Sequence, residues 1–256
     1  MFFRGIIFNA ILVGLLAGVV LTAVQLLSVV PIIFAAESYE VAEPVAAVAS
    51  HSHAEGVAAH HHDTEAWGPK DGLERSLYTL LSNVLAGIGF AAVLLAVMAQ
   101  LSVHRLVSPT LAAGVLWGLS GFIAFFIWPA IGLPPEIPGV EAAALEYRQV
   151  WWVLAVACAA AALAIAAFAP VIVKIAAVLV AAVPFIIGAP HADLPMFSHE
   201  DPAAVDALTR LHEQFVVASG LTNLLFWLVL GLSAAFAVRR LVRPYLAAAV
   251  SPRSAA

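Results

Sequence analysis

The 256-residue sequence predicts an all-α fold: a polytopic transmembrane helical bundle of six spans, with both termini cytoplasmic. Three observations carry that expectation. Hydrophobic residues make up 63% of the chain and charged residues only 11%, where a soluble domain carries about 25% charged. Six apolar stretches are long enough to cross a hydrocarbon core about 30 Å thick, which takes roughly 20 helical residues, and none alternates like a barrel strand. The ionisable residues are also sorted. All 16 acids and eight of the nine histidines fall between spans on one side, and seven of the eleven Lys/Arg fall on the other.

Residues 1–256 read as a single membrane domain. The first span, about 6–34, is roughly twice the length of a signal-peptide apolar region, and no A-x-A-like site precedes Glu37, so it reads as a membrane helix. The hydrophilic segment 36–76 follows as an external loop, its middle too poor in apolar residues to pack alone. Asp71 with Glu74 three residues on predicts a capping box opening the second span, 78–101, and Trp67 and Tyr78 suit the membrane interface. The third span is 110–131. Residues 150–189 are almost unbroken; as one helix they would extend about 60 Å, twice the bilayer core. Pro170 removes a backbone donor and Lys174 adds a charge, so a hairpin dividing 150–169 from 171–189 is expected in preference to a five-span chain. The last span is 215–238.

An even number of spans keeps Arg239, Arg240 and Arg243 on the same side as Arg4, with Arg105, Lys174 and Arg253. Lys70, Arg75, Arg148 and Arg210 face the other side. The excess of basic residues marks the first side as cytoplasmic. Cys158 lies within a span, so neither an intrachain disulfide nor a thiolate metal site is expected.

The external segments carry the chemistry. His51, His53, His60, His61 and His62 fall within twelve residues, with Asp63 and Glu65 beside them. Imidazole and carboxylate together suit divalent first-row metals. The irregular spacing and the lack of Cys argue against a closed structural zinc site and for an exchanging collector; a merely solvated polar loop is the alternative. His191, Asp193 and His199 offer further ligands. Three outward-going helices show a proline followed by a candidate ligand: Pro31 and Glu37, Pro129 and Glu136, Pro184 and His191. Proline bends a membrane helix and frees a carbonyl, which can splay an entrance, though it can equally mark a helix end. Asn83 and Asn223 lie five and eight residues inside their spans, and Thr22 and Gln25 share a face of the first. Amides at that depth should face the bundle and find partners, as path lining or as plain inter-helix hydrogen bonding.

Absent motifs narrow the classes. No phosphate-binding loop of the G-x-x-x-x-G-K-[ST] type is present. No histidine lies within a span to hold haem, and no acid to relay protons. His104-Arg105 reads as an inner-surface anchor. No enzyme, no permanently bound cofactor and no nucleic-acid partner is expected; the lipid bilayer is.

Longer motifs run through nearly the whole chain: Phe34-Ala35-Ala36-Glu37-x-Tyr39, Trp67-x-Pro69-x-Asp71-Gly72-x-x-Arg75-x-x-Tyr78-Thr79, Gly132-Leu133-Pro134-Pro135-Glu136-x-Pro138-Gly139, Arg148-Gln149-x-Trp151-Trp152, Pro190-His191, and Phe215-x-Val217-Ala218-Ser219 through Asn223-Leu224-Leu225-Phe226-Trp227. In these the chain resembles the CbtA family of predicted cobalt transporter subunits. The resemblance implies a bacterial inner-membrane protein supplying cobalt(II) for cobalamin synthesis, with a small single-span His-rich companion, CbtB. On that basis the external loop would gather the ion and pass it by Glu37, Glu136, His191 and Asp193 to a path lined by Asn83 and Asn223. Two rivals remain open: a metal sensor or accessory protein that binds without conducting, and a membrane enzyme with a metal on His191, Asp193 and His199.

Overall fold

The computed structural model describes residues 2–42 and 68–248, and the regular structure among them is entirely helical. Helix α1 (Phe2–Ser28) gives way at Val29 to α2 (Val30–Ala42). Pro31 has no N–H to donate, so the regular ladder fails there, and the N–H groups of Ile32 and Ile33 both donate to the Val29 carbonyl at 3.1 and 3.2 Å. The first apolar run therefore continues as helix beyond residue 34. Helix α3 (Leu73–Val103) opens on Gly72, whose φ of +93° suits glycine alone. The expected capping box does not form. Asp71 accepts a bond from the Arg75 guanidinium at 3.0 Å instead of capping, a charge-assisted bond stronger than one from a neutral N–H.

Helix α4 (Leu111–Phe122) starts under a true cap, the Thr110 hydroxyl accepting from the Ala113 N–H at 3.1 Å. It runs through a wider π-helical turn, Ile123–Ile127, into the short α5 (Trp128–Ala130). The wide turn falls just before Pro129, where the regular i to i−4 bond has lost its donor. Then come α6 (Leu145–Phe168), a 3-10 turn at Val171–Val173, α7 (Ile175–Ile187) and α8 (Pro202–Ala248). The last external segment is consequently shorter than predicted, because residues 202–213 are helical. Asp201 caps α8, its carboxylate accepting from Ala203 N–H at 2.9 Å, and Pro202 sits in the first turn, where its missing donor costs nothing.

Cross-helix contacts fix the directions. Asn83 near the start of α3 reaches Thr22 and Gln25 near the end of α1. Ser28 meets Thr222, and Leu241 packs over Gly5, so α8 runs antiparallel to α1. Gly114 lies against Gly231 and Gly118 against Trp227, so α4 also runs antiparallel to α8. Trp151, early in α6, donates its indole N–H to the Pro184 carbonyl, late in α7, at 3.0 Å. The reversal expected at Pro170 is therefore present. Among the described residues, five helices are long and apolar enough to cross a membrane: Phe2–Ser28, Leu73–Val103, Leu111–Ala130, Leu145–Phe168 and Pro202–Pro244. Val171–Ile187 is shorter, about 25 Å at helical rise.

Small residues let these helices approach. With no hydrophobic drive between helices in lipid, close backbone contact supplies the packing energy. Gly14 and Gly18 of α1 seat directly on the α3 backbone at Gly87, Ile88 and Val84, while Gly114 and Gly118 of α4 seat on α8 at Gly231 and Trp227. Leu95, Met98, Leu230, Val238 and Val242 fill the space between, all less than 2% exposed. Phe90, Phe125 and Trp227 stack beside them with centroids 5.0 to 5.2 Å apart. Outward-facing residues are apolar too, Leu27, Ile172 and Ile186 being at least 80% exposed, as lipid contact requires.

Candidate functional site

One end of the bundle gathers α2, the start of α3, the segment 131–144, the segment 188–201 and the start of α8. Every acid among the described residues is there; the opposite end carries Arg4, Arg105, Lys174, Arg239, Arg240 and Arg243. His51, His53, His60, His61, His62, Asp63 and Glu65 lie outside the described residues. Among the described residues no three His, Cys, Asp or Glu side chains stand together as a metal-binding group. His191 and Asp193 are exposed, and the Nδ1 of half-buried His199 accepts from the Asp201 N–H at 3.0 Å.

Glu37 and Glu136 each meet an arginine from the next helix. The Arg75 guanidinium holds Glu37 through both terminal nitrogens, at 2.6 and 3.1 Å, and Asp71 at 3.0 Å. Its carbon also lies 4.9 Å from the Phe34 ring centroid. The bonds to Glu37, reinforced by Asp71, raise the Arg75 pKa further above its usual range, against a smaller opposing effect of burial. The second pair, Arg148 with Glu136, is less complete. Only one terminal nitrogen of Arg148 bonds the carboxylate, and its buried Nε has no hydrogen-bond partner among the described residues.

Beside this pair sits a small apolar cluster of Ala36, Ile137, Phe197 and Leu208, separate from the main core. It joins α2, both connecting segments and α8, and the Glu141 N–H to Met196 carbonyl bond, 2.9 Å, ties the two segments across it. His212 is embedded here, 8% exposed, its ring edge-on to Phe197 with centroids 6.4 Å apart. Its Nδ1 has no hydrogen-bond partner among the described residues. Burial lowers the imidazole pKa below the usual histidine value, and the nearby charges of Glu136 and Glu213 oppose that shift. Sequence reasoning left His212 out of the ligand set. The signal was present in the spacing of Leu208, Leu211, His212 and Phe215, which puts the imidazole on an apolar helical face.

Polar side chains continue from His212 into the bundle. Ser219 and Thr222 on α8 are 8% and 2% exposed, and Thr222 lies 3.4 Å from Ser28 of α1. Thr222 is ten residues beyond His212, about 15 Å along the helix. At a similar depth the Asn83 amide donates to Thr22 at 3.0 Å and to Gln25 at 2.6 Å, so the three residues expected to share one level meet. Asn223 donates instead to the Ser219 carbonyl of its own helix at 3.0 Å. A groove of 680 Å³ between α1 and α8 opens beside this seam, lined by Val24, Ser28, Gln214, Val217 and Thr222 among others. Beyond Thr22 the next buried polar side chain, Ser102, lies near the opposite end of α3. The Gly14–Gly87 contact and the apolar core close the rest.

Neither the curated proteins nor the solved structures contain a match to the chain. The model of one protein family, described as "Probable cobalt transporter subunit (CbtA)", matches residues 3–239. That match spans all but the extreme ends, and includes the glutamate–arginine pairs, the His212 cluster and the polar seam. The helical membrane bundle and the length of the match agree: this chain belongs to the CbtA family of cobalt transporter subunits.

Proposed function

We propose that the chain is the membrane subunit for uptake of cobalt(II) destined for cobalamin synthesis. In this reading it lies in the bacterial inner membrane with six spans. The acid-bearing end faces the periplasm, and the basic end, with both termini, faces the cytoplasm. His51, His53, His60, His61 and His62, with Asp63 and Glu65, collect the ion. Glu37, Glu136, His191, Asp193 and His199 surround the mouth, and Asn83 and Asn223 flank the way in. A small single-span, His-rich companion of the CbtB kind completes the transporter.

The observation that carries this reading is the seam of polar side chains leading inward from the acidic end, Ser219, Thr222 and Thr22 buried and Ser28, Gln25 and Asn83 half-buried. Buried polar groups are costly in a membrane protein and mark functional paths. A potential that is negative inside favours such an import by about 2.3 kcal/mol per charge per 100 mV, doubled for a divalent ion. The apolar core below Thr22 favours a second reading, a sensor or accessory protein that binds metal without conducting it. Radiolabelled cobalt(II) entry into proteoliposomes separates the two. Entry no faster with the protein and its companion than without them leaves the second reading standing. Replacing the five loop histidines with Ala should raise the cobalt concentration for half-maximal uptake and spare the maximal rate.

A further inference from the structure

We propose that Glu136 and His212 form a two-ligand transit site for a divalent first-row cation, and that Arg148 is the internal cation which the arriving ion displaces. The proposal rests on the uptake reading only for the direction of travel; the site itself stands on the geometry of the acidic end.

Both ligands are positioned by one packed cluster. Ile137, 4% exposed, follows Glu136 directly, and Leu208, also 4% exposed, lies one helical turn before His212. Both belong to the apolar group that includes Phe197, the ring against which the imidazole stands. The carboxylate's charge acts on the imidazole against the effect of burial. His212 is more than nine-tenths buried, and no group among the described residues satisfies its Nδ1. A neutral imidazole nitrogen with a free lone pair is a metal ligand, and imidazole with carboxylate is a donor set suited to first-row divalent ions. No third His, Cys, Asp or Glu joins them among the described residues. Water therefore completes the coordination sphere, which suits an ion in passage better than one in storage.

Arg148 gives the site its release. The two glutamate–arginine pairs at this end differ in completeness. Arg75 engages Glu37 with two nitrogens and Asp71 besides. Arg148 engages Glu136 with one, and its buried Nε meets no partner among the described residues. The second pair thus forgoes the bidentate match that gives such pairs their strength, and a divalent ion competes for Glu136 more easily than it would for Glu37. When the ion moves on, Arg148 returns to the carboxylate and prevents a buried negative charge from holding the cargo.

The test uses the full chain, purified in detergent, with the five loop histidines replaced by Ala so that the collector does not mask the site. Cobalt(II) is titrated while its visible d–d absorption is followed. One site should remain, weakened at least tenfold by His212→Gln and by Glu136→Gln. Arg148→Gln should act in the opposite direction, tightening cobalt binding severalfold, a change that loss of a merely structural ion pair would not produce. Metal-free melting curves identify any variant that fails to fold; if His212→Gln does, the opposed signs of Glu136→Gln and Arg148→Gln decide. No residual site, unchanged binding in both ligand variants, or weaker binding in Arg148→Gln overturns the proposal. Uptake by the unaltered chain is measured in parallel. Import with an unaffected site in every variant removes this inference alone, and a cobalt site without import removes the transport reading alone.

Discussion

Replacing Gly14 with Ala tests whether backbone contact holds α1 to α3. An ideal Cβ at residue 14 would lie 2.3 Å from the Ile88 nitrogen and 2.4 Å from its Cα, both fixed backbone atoms. Ordinary contact begins near 3.4 Å, so the helices must part by about 1 Å along this seam. Overpacking of that kind costs about 1–3 kcal/mol. Alanine also gains up to about 1 kcal/mol over glycine in helix propensity, which blurs a single measurement. Gly89 supplies the correction, because it sits on the same helix as Gly87 with nothing within 4 Å of its Cβ position. Gly89→Ala collects the propensity gain alone. The difference between the two variants should therefore be about 1–3 kcal/mol, with Gly14→Ala the less stable. Reversible unfolding in mixed micelles, followed by tryptophan fluorescence, measures it. Equal stabilities, or a greater loss for Gly89→Ala, would refute close backbone packing as the source of this contact.

Asn83→Leu removes two inter-helix bonds, each worth roughly 0.6 kcal/mol in membrane proteins, and strands Gln25; the same unfolding assay should show a loss of about 1–2 kcal/mol. If the amide also lines the path, the maximal cobalt flux falls further than stability explains, and normal flux in folded protein assigns it to packing alone. Glu37→Gln should cost less than about 1 kcal/mol, since both partners of the Arg75 pair remain about a third exposed; a larger loss would mean that the pair is more shielded than the structure has it. Trp151→Phe keeps the ring in its buried place and removes the N–H that binds Pro184. A loss of about 1–2 kcal/mol is expected, and an unchanged unfolding midpoint would show that bond to be dispensable.

The fold was legible wherever a single physical requirement dominated. Hydrophobic length marked the helices, the Pro170 reversal followed from a helix twice too long for a bilayer, and the need to satisfy a buried amide brought Asn83 to Thr22 and Gln25. What stayed hidden depended on competition between partners. Asp71 had the sequence of a cap, but Arg75 offered it a charged donor. Residues 202–213 looked like loop because their charges broke the apolar run, although Asp201 and Pro202 are a good helix start. The glycines of α1 and α4 were passed over because their spacing gains meaning only with a partner helix. Glu37 and Glu136 stood out in the sequence as candidate ligands, while the arginines that hold them, and His212 behind one of them, required the packing of separate segments to be seen.

The contact of Gly231 with Gly114 and Gly118 has a mechanical consequence. No side chain stands between the two backbones there, so the point can serve as a pivot for α8, which is unbroken from His212 to Val242. The arms are unequal: about 28 Å from pivot to His212 and about 16 Å from pivot to Val242. A tilt of about 5° would swing the outer end by about 2.4 Å and the inner end by about 1.4 Å the other way. Leverage of this kind would make α8 a rocker that moves further at His212 than at Val242, and least where the helices touch most closely.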